Sequence, residues 1–591
     1  MKTIYKSIFV IGLSIVSLTT FAQKDTTFTR QVLLERDYNP TMQDASKINT
    51  LPSIYTPVVK AKEFKFVSSA PQAKLSNNQL GSAEPGDIKT NVDFSKKRAY
   101  INLAGGTHSN LEGAAGVRII HTATDRLDFF GTHSSTSGTV DYIDGDKYIL
   151  KDAKAKYSAS NVNLKYQHMF EPSILSFDAS FFNTAYNYYG NSFLPNTTSP
   201  SFPFDITSKQ NVNVFSIGAG LKSSINNKGE LKYDGDIRYQ NFKSKYGPLT
   251  EEDALKGGQL NLNLNLYAEL GADKFVGVKG YVMNQSFSND SKIATETTDP
   301  FHSFTNITGT PYIKFLGESW NIDLGVNASA LFDVKNKVFF SPNIKAEVRL
   351  YDVNVFYAEI TGGVNNNTYL DILQENRYTN PISRIDYSKT LYDIKAGFKS
   401  GVINGLEFDL FAGYKKTDKD HLYVFGQTNT WANVSNALYA DVSTGHIGGS
   451  LKTSLIPYTD LSAKITGYFY DVKYVNGYIN PVGEIISEKK AWGKPTFTAE
   501  LNADVKPIDK VTLSLNYLYA GGRKTYAMTS LGHSSVSMKD INELNFKGEY
   551  QITDWVSVNA RLNNILFQKY ELQYGYPVQG FNVLGGVNFK F

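Results

Sequence analysis

Residues 259–270 read QLNLNLNLYAEL, in which leucine takes every second position from Leu260 to Leu266. Asparagines fill the places between them, from Asn261 to Asn265. Side chains alternate between the two faces of a β-strand, so this period of two predicts a strand with one apolar and one polar face. The stretch alone leaves open whether the apolar face meets a protein core or lipid.

The same alternation recurs to the end of the chain. It is clearest in LKYDGDIRYQ (231–240), WNIDLGVNASALF (320–332), ELNFKGEYQI (543–552) and VLGGVNFKF (583–591). The polar face of these segments carries charges of both signs and many asparagines. We therefore expect that face to meet water or other polar groups.

Short turns and long loops alternate between such segments. The short turns hold the Gly, Asn, Asp or Pro residues that tight hairpins favour, and they lie at 121–126, 170–173, 226–230, 271–274, 316–319, 350–353, 401–405, 456–460, 506–510 and 552–555. Longer polar loops lie between them, at 189–208, 289–302, 366–387, 417–440, 477–492 and 523–537.

A set of soluble β-domains would not keep tight turns at one end and long loops at the other. A transmembrane β-barrel does, with lipid-facing residues alternating with lumen-facing ones. The sequence thus predicts an all-β, transmembrane antiparallel β-barrel of about 22 strands. The first strand is expected near 98–106 and the last at 583–591.

The N-terminus has the features of a secretory signal: two lysines, an apolar run at 8–18, and a cleavage position at Ala22. No later run approaches the roughly 20 apolar residues that a spanning helix needs. We expect an exported chain in the outer membrane of a Gram-negative cell. Its predicted parts are a signal peptide (1–22), an extended N-terminal segment (23–97) and the barrel (98–591).

Composition excludes several kinds of function. The 591 residues include no cysteine, which rules out disulfides and thiolate sites, and the net charge of +4 argues against nucleic acid as a partner. The 8 histidines show no spacing typical of a metal or catalytic site. We predict no enzyme activity, no catalytic or metal-binding residues and no cofactor.

Two acidic turns and two lysine pairs are candidates for contacts with calcium and with lipopolysaccharide, respectively. The DGD at 144–146 and the DKD at 418–420 could bind calcium in outer loops, but neither has EF-hand spacing, and solvated turns are the preferred interpretation. The lysines at 415–416 and 489–490 could contact lipopolysaccharide phosphates or lie in water.

Aromatic residues near two long loops are the candidate ligand-binding residues. They are Tyr423, Phe425, Trp431, Tyr439, Tyr474, Tyr478 and Trp492. Exposed, such rings could stack on sugars or peptides, and packed together they would form a canopy of loops. Tyr and Phe near strand ends elsewhere are better explained as aromatic girdles at the membrane interface.

The closing segment, RLNNILFQKYELQYGYPVQGFNVLGGVNFKF (561–591), resembles the last hairpin of TonB-dependent receptors. The matching motifs are NNIL at 563–566, KYE at 569–571 and GYP at 575–577. The alternating Val587, Phe589 and Phe591 resemble the C-terminal signal that such barrels present to the barrel-assembly machinery. The Phe-Ala-Gln that ends the signal peptide resembles exported proteins of Bacteroidota.

The resemblance implies transport of a substrate across the outer membrane, with TonB, membrane lipid and lipopolysaccharide as partners. The family's N-terminal plug is about twice as long as residues 23–97, which read as extended apart from a short helix near 41–48. Thr27–Leu34 could bind TonB; alternatively this segment lines the lumen or contacts another subunit. The second interpretation of the chain is a plug-poor barrel that serves as an accessory subunit of an outer-membrane assembly or secretion complex.

Barrel diameter grows with strand number, and a barrel of about 22 strands has a lumen that needs plugging. We therefore expect that residues 23–97 fold into the barrel or that a separate protein caps it.

Overall fold

The computed structural model describes most of the predicted barrel segment. The residues described are 97–143, 152–190, 209–224, 231–246, 254–271, 273–288, 303–333, 336–351, 353–380, 386–403, 405–425, 434–474, 488–529 and 532–591. The predicted signal peptide, the segment to residue 96, its short helix and its TonB-binding strand lie outside them.

The described part of the chain consists mainly of β-strands. In chain order these are β1 Ala99–Gly106, β2 Leu111–His121, β3 Asp125–Asp141, β4 Asp152–Met169, β5 Ser173–Asn187, β6 Lys209–Ser223, β7 Leu231–Ser244, β8 Lys256–Glu269, β9 Lys274–Phe287, β10 Phe304–Leu316, β11 Trp320–Phe332, β12 Lys337–Leu350, β13 Asn354–Asn365, β14 Ser388–Ile403, β15 Leu406–Phe425, β16 Ser435–Thr453, β17 Thr459–Tyr474, β18 Phe497–Ile508, β19 Val511–Gly521, β20 Lys524–Thr529, β21 Gly532–Ser537, β22 Ile541–Gln551, β23 Val556–Asn563, β24 Glu571–Gln573, β25 Tyr576–Pro577 and β26 Asn582–Lys590. One α-helix, α1 (Tyr369–Glu375), lies between β13 and β14.

Twenty-two of these strands form the closed wall of an antiparallel barrel: β1–β19, β22, β23 and β26. The remaining four form two hairpins, β20–β21 and β24–β25, in the loops that follow β19 and β23. The first wall strand pairs with the last, from Tyr100 opposite Lys590 to Gly106 opposite Leu584. The predicted fold and strand number are confirmed.

Two neighbouring rows of residues on β10–β14 show how the wall separates two environments. One row is apolar and runs across the strands in register as Ile313, Leu324, Ile344, Ile360 and Ile394. The adjacent row, one residue along each strand, is charged and reads Lys314, Asp323, Lys345, Glu359 and Lys395. Adjacent residues of a strand point to opposite faces, so one face of the wall is apolar and the other carries alternating charges.

Charges of opposite sign lie opposite each other on that inner face. Lys314 Nζ is 3.6 Å from Asp323 Oδ1, and Lys345 Nζ is 3.7 Å from Glu359 Oε2. On the outer face, the apolar residue Leu324 is 41% exposed. An apolar surface so exposed, continuous around the wall, is what a barrel presents to lipid.

The leucine–asparagine repeat lies in β8, as predicted. Leu262 is in register with Ile237 of β7 and Val282 of β9, which continues the apolar face. Asn263 Nδ2 donates to Asp236 Oδ2 (3.2 Å), and the Tyr312 hydroxyl donates to Asn265 Oδ1 (2.9 Å). The asparagines are therefore part of a hydrogen-bonded polar face.

Tyrosines of the inner face need glycines beside them. Gly277 is opposite Tyr312, and a Cβ at this glycine would lie 2.6 Å from that ring. Glycine is required at this position because the tyrosine ring lies against the backbone of the neighbouring strand.

The ten predicted short turns each join two paired antiparallel strands, from β2–β3 to β22–β23. One predicted long loop, 417–440, is wrong in extent. Strands β15 and β16 continue through most of it, to Phe425 and from Ser435. A β-bulge between Thr417 and Asp420, with Lys419 at φ 54°, interrupts the alternation there and hides the strand in the sequence.

Among the residues that the structure describes, no helix is long and apolar enough to cross a membrane.

Candidate binding region at the loop end of the barrel

The loop between β13 and β14 contains α1, in a stretch that the sequence pattern predicts as a polar loop. Thr368 caps the helix: its Oγ1 accepts from the backbone N–H of Asp371, and the Asp371 carboxylate accepts from the N–H of Thr368. This capping box before an apolar run is a signal that the sequence does contain. Ile372 and Leu373 are buried, so the helix packs inward.

A cluster of tyrosines lies beside α1, and we call it the tyrosine cluster. Its members are Tyr186, Tyr188, Tyr189, Tyr378 and Tyr576. The rings of Tyr378 and Tyr576 are stacked with centroids 3.6 Å apart, and Tyr189 meets both rings edge-on. None of the five side chains is more than 5% exposed.

Hydrogen bonds from tyrosine hydroxyls to backbone carbonyls join further loops to this cluster. The Tyr189 hydroxyl donates to the carbonyl of Pro577 (3.0 Å), and the Tyr142 hydroxyl donates to the carbonyl of Tyr189. The loops after β3, β5, β13 and β23 are thus held to one another. Burial raises the pKa of Tyr188 to about 12, so this hydroxyl keeps its proton at neutral pH.

Arg377 lies at the edge of the tyrosine cluster and is 3% exposed. Its guanidinium carbon lies 4.0 Å from the ring centroid of Tyr157, a cation–π contact. Nothing in the local sequence pattern marks this arginine as buried.

The extended β15–β16 hairpin separates the predicted aromatic residues. Tyr423 and Tyr439 are on one of its faces, where the backbone N–H of Asp386 donates to the Tyr439 hydroxyl (2.7 Å). Trp492 packs with Leu422 and Leu438 of the other face and is 1% exposed. These residues are therefore not brought together at one exposed surface.

The side chains of the other four predicted aromatic residues are not described by the structure. Phe425 ends β15 and Tyr474 ends β17, and their side chains are not described. Trp431 and Tyr478 lie outside the described residues. Ligand binding by these aromatic residues stays a prediction.

Short polar contacts connect the β15–β16 hairpin to neighbouring loops. His421 Nε2 is 2.6 Å from Glu375 Oε2 at the end of α1, Lys419 Nζ is 3.3 Å from Asp386, and Lys494 Nζ is 2.6 Å from Asp420. The DKD at 418–420 is therefore part of a bulged strand and not an outer-loop turn. The DGD at 144–146 lies outside the described residues.

Tyr570 and Glu571, two residues of the motifs that resemble TonB-dependent receptors, are both buried, and Tyr570 makes a polar contact. The hydroxyl of Tyr570, which is fully buried, donates to the carboxylate of Glu543, and Asn545 Nδ2 donates to the same carboxylate (2.8 Å). Tyr570 therefore has a packing role here, because it fixes the loop after β23 to the inner face of β22.

The predicted C-terminal signal lies at the closure of the barrel. Val587 is opposite Leu103 of β1, and Phe589 is opposite Ile101. Phe591 is 54% exposed, and its N–H donates to the carbonyl of Ala99 (2.8 Å). Recognition by the assembly machinery stays a prediction.

In the part of the chain that the structure describes, no group of three or more acidic or histidine side chains could hold a metal ion.

No protein-family model and no curated protein sequence matches the chain. Solved structures do match its fold. The pyoverdine outer-membrane receptor FpvA from Pseudomonas aeruginosa PAO1 has a TM-score of 0.59 at 13% identity, over 84% of this chain and 78% of that one. The siderophore receptor PirA from Acinetobacter baumannii has a TM-score of 0.63 at 11% identity, over 84% and 80%.

The iron transporter FrpB from Neisseria meningitidis is similar to the same degree, with a TM-score of 0.63 at 10% identity over 84% of this chain and 82% of that one. The barrel, Ala99–Lys590, makes up about the same share of this chain as the 84% that these structures cover. At such low identity the likeness shows the fold alone. That fold is the 22-stranded barrel of TonB-dependent receptors, the family that the closing segment resembles.

Proposed function

We propose that this chain is a non-enzymatic outer-membrane protein that takes part in moving a substrate through its barrel, with the loop end selecting the ligand. The observation that supports this most is the charged row of β10–β14, Lys314 to Lys395, on the inner face of a closed barrel. A lumen lined by charges of both signs suits a hydrated passage. The described structural relatives are named as receptors or transporters for iron or siderophores.

The proposal includes a closed resting state. Residues 23–97 are proposed to fill the lumen, with 1–22 removed as the signal peptide and 98–591 forming the barrel. The test is the ionic current across planar lipid bilayers containing the purified mature chain or a variant lacking residues 23–97. We expect a silent mature chain and a large steady current from the variant; a silent variant would refute the internal plug.

A second function, as an accessory subunit of an outer-membrane complex, is favoured by the packing of the loop end. The cavity beside the tyrosine cluster has a volume of ≈ 30 Å³, far below the roughly 300–1,000 Å³ of small-molecule sites. Loops packed this closely suit a scaffold better than a receptor with an open ligand site.

Affinity purification in a mild detergent separates the two functions. Partners that co-purify in fixed stoichiometry indicate an accessory subunit. A barrel that purifies alone and shows solute-dependent currents indicates a transport protein. TonB is a specific partner to look for in the same preparation.

A further inference from the structure

Arg377 and its neighbour Asn376 carry buried donors to which no described residue offers an acceptor. Asn376 is 2% exposed and Arg377 3%. Within the described part of the chain, guanidinium Nη1 and Nη2 of Arg377 and amide Nδ2 of Asn376 have no hydrogen-bond partner. Buried donors normally have acceptors, and a buried charge normally has a counter-charge.

Both residues line the same cavity, whose volume is ≈ 30 Å³. The rest of its lining is neutral: Tyr186, Tyr188, Gln210, Tyr369, Ile372, Leu373, Thr379 and Asn380. The described residues around the cavity thus supply one positive charge and no carboxylate.

The acidic residues closest in sequence have other partners. Asp371 accepts from the N-cap residue Thr368, and Glu375 pairs with His421 at 2.6 Å. Asp386 pairs with Lys419 at 3.3 Å. None of these three carboxylates accepts a hydrogen bond from Nη1 or Nη2 of Arg377.

The contact with Tyr157 covers one face of the guanidinium, at 4.0 Å from its carbon to the ring centroid. A cation–π contact does not use the N–H groups, which lie in the plane of the guanidinium at its edge. The in-plane donors are where an anion would bind, because charge-assisted hydrogen bonds are the strong ones.

Size limits the occupant. On this measure about 10–15 Å³ is enough to hold one water molecule, so a cavity of ≈ 30 Å³ admits water or a small ion and is too small for an organic ligand. Water would accept from the donors but would leave the buried charge of Arg377 uncompensated.

We propose that Arg377 and Asn376 bind one monovalent anion of the size of chloride beside the tyrosine cluster. The anion accepts from the guanidinium edge and from the Asn376 amide, and it neutralises the arginine where α1 ends. This site does not depend on whether the barrel transports a solute.

Bromide and chloride are the probes that test the site, with the full-length protein in detergent. Crystals grown in sodium bromide should show an anomalous peak in contact with the Arg377 guanidinium. In solution, ³⁵Cl NMR should show line broadening by the wild-type protein that unlabelled bromide competes away.

Asn376→Asp is the decisive variant, because it keeps the size of the side chain and supplies a carboxylate beside the arginine. We expect it to fold and to bind chloride at least tenfold more weakly. Arg377→Gln should lose binding as well. Arg523→Gln is the matched control, since Arg523 is also buried but donates to the carbonyls of Leu572 and Lys539; it should broaden the line as the wild type does.

A water molecule without anomalous signal in the cavity would overturn the proposal. So would chloride broadening that is the same in wild type and Asn376→Asp.

Discussion

Leu262 and Asn263 are neighbours in β8, but their side chains lie on opposite sides of the wall. Leu262 continues a row of apolar residues, whereas Asn263 donates to the Asp236 carboxylate at 3.2 Å. The two positions share backbone geometry, depth along the strand and neighbouring strands. The change in stability caused by a charge at each position therefore compares the two environments directly.

We expect Leu262→Arg to lower the free energy of unfolding in lipid vesicles by about 2–4 kcal/mol, because the charge then lies in the hydrocarbon near the middle of the bilayer. Asn263→Arg is the control. It should change that free energy by less than about 1 kcal/mol, because it places the charge on the lumen-facing side of the wall, which meets water. Denaturant titration followed by tryptophan fluorescence gives both values. Equal losses would contradict the assignment of the faces.

For single residues, the sequence predicts which face of the wall a side chain occupies, but not which residues far away in the chain it contacts. The alternation of Leu260 to Leu266 with asparagines needs only the period of a strand. The contact of Tyr570 with Glu543 and the stacking of Tyr378 on Tyr576 join segments far apart in the chain. No local pattern specifies such contacts, because the closure of the barrel brings these loops together.

Among the elements, the hairpins were predictable and the structure within the loops was not. Short turns with favourable residues mark the strand pairs. The β15–β16 extension was missed because the bulge at Thr417–Asp420 breaks the period, and because its apolar face packs against Trp492 from another loop. Helix α1 was missed although Thr368 and Asp371 form a capping box, since the loop around it is rich in asparagine.

The tyrosine cluster should fix the loops after β5, β13 and β23 to one another. Tyr378→Ala removes the ring stacked on Tyr576, and replacing a buried aromatic residue by alanine costs about 3–5 kcal/mol of local packing. We expect protease to cut these loops at least tenfold faster in the variant, with the barrel still folded.

The control for this change is Tyr458→Ala in the turn before β17, where the side chain is 74% exposed. Cleavage of the loops should be the same as in wild type. If Tyr378→Ala and wild type are cut at the same rate, the cluster does not hold the loops.

For the whole molecule, closure depends on the pairing of β26 with both β1 and β23. The aromatic residue after β26, Phe591, is 54% exposed and contributes little packing to the closed barrel. Its proposed role is recognition by the assembly machinery before the barrel closes. Stability and assembly in cells should therefore respond differently to its loss.

We expect Phe591→Ala to reduce the amount of folded protein in the outer membrane several-fold while refolding of the purified chain in detergent stays unchanged. Folded protein is read from the heat-sensitive mobility of the barrel in gels. Phe332→Ala, at the end of β11 and 46% exposed, is the control and should leave both quantities unchanged. Equal assembly of the two variants in cells would argue against a C-terminal signal.

The central claim is that the wall has a lipid face and a hydrated face that alternate residue by residue. The chain has no cysteine, so a spin label can be attached to a single cysteine introduced at each position from 260 to 266 in turn. In vesicles we predict that labels at even positions are reached by oxygen dissolved in the bilayer and labels at odd positions by a water-soluble nickel complex. Accessibility without a period of two, or with the two faces exchanged, would contradict the account.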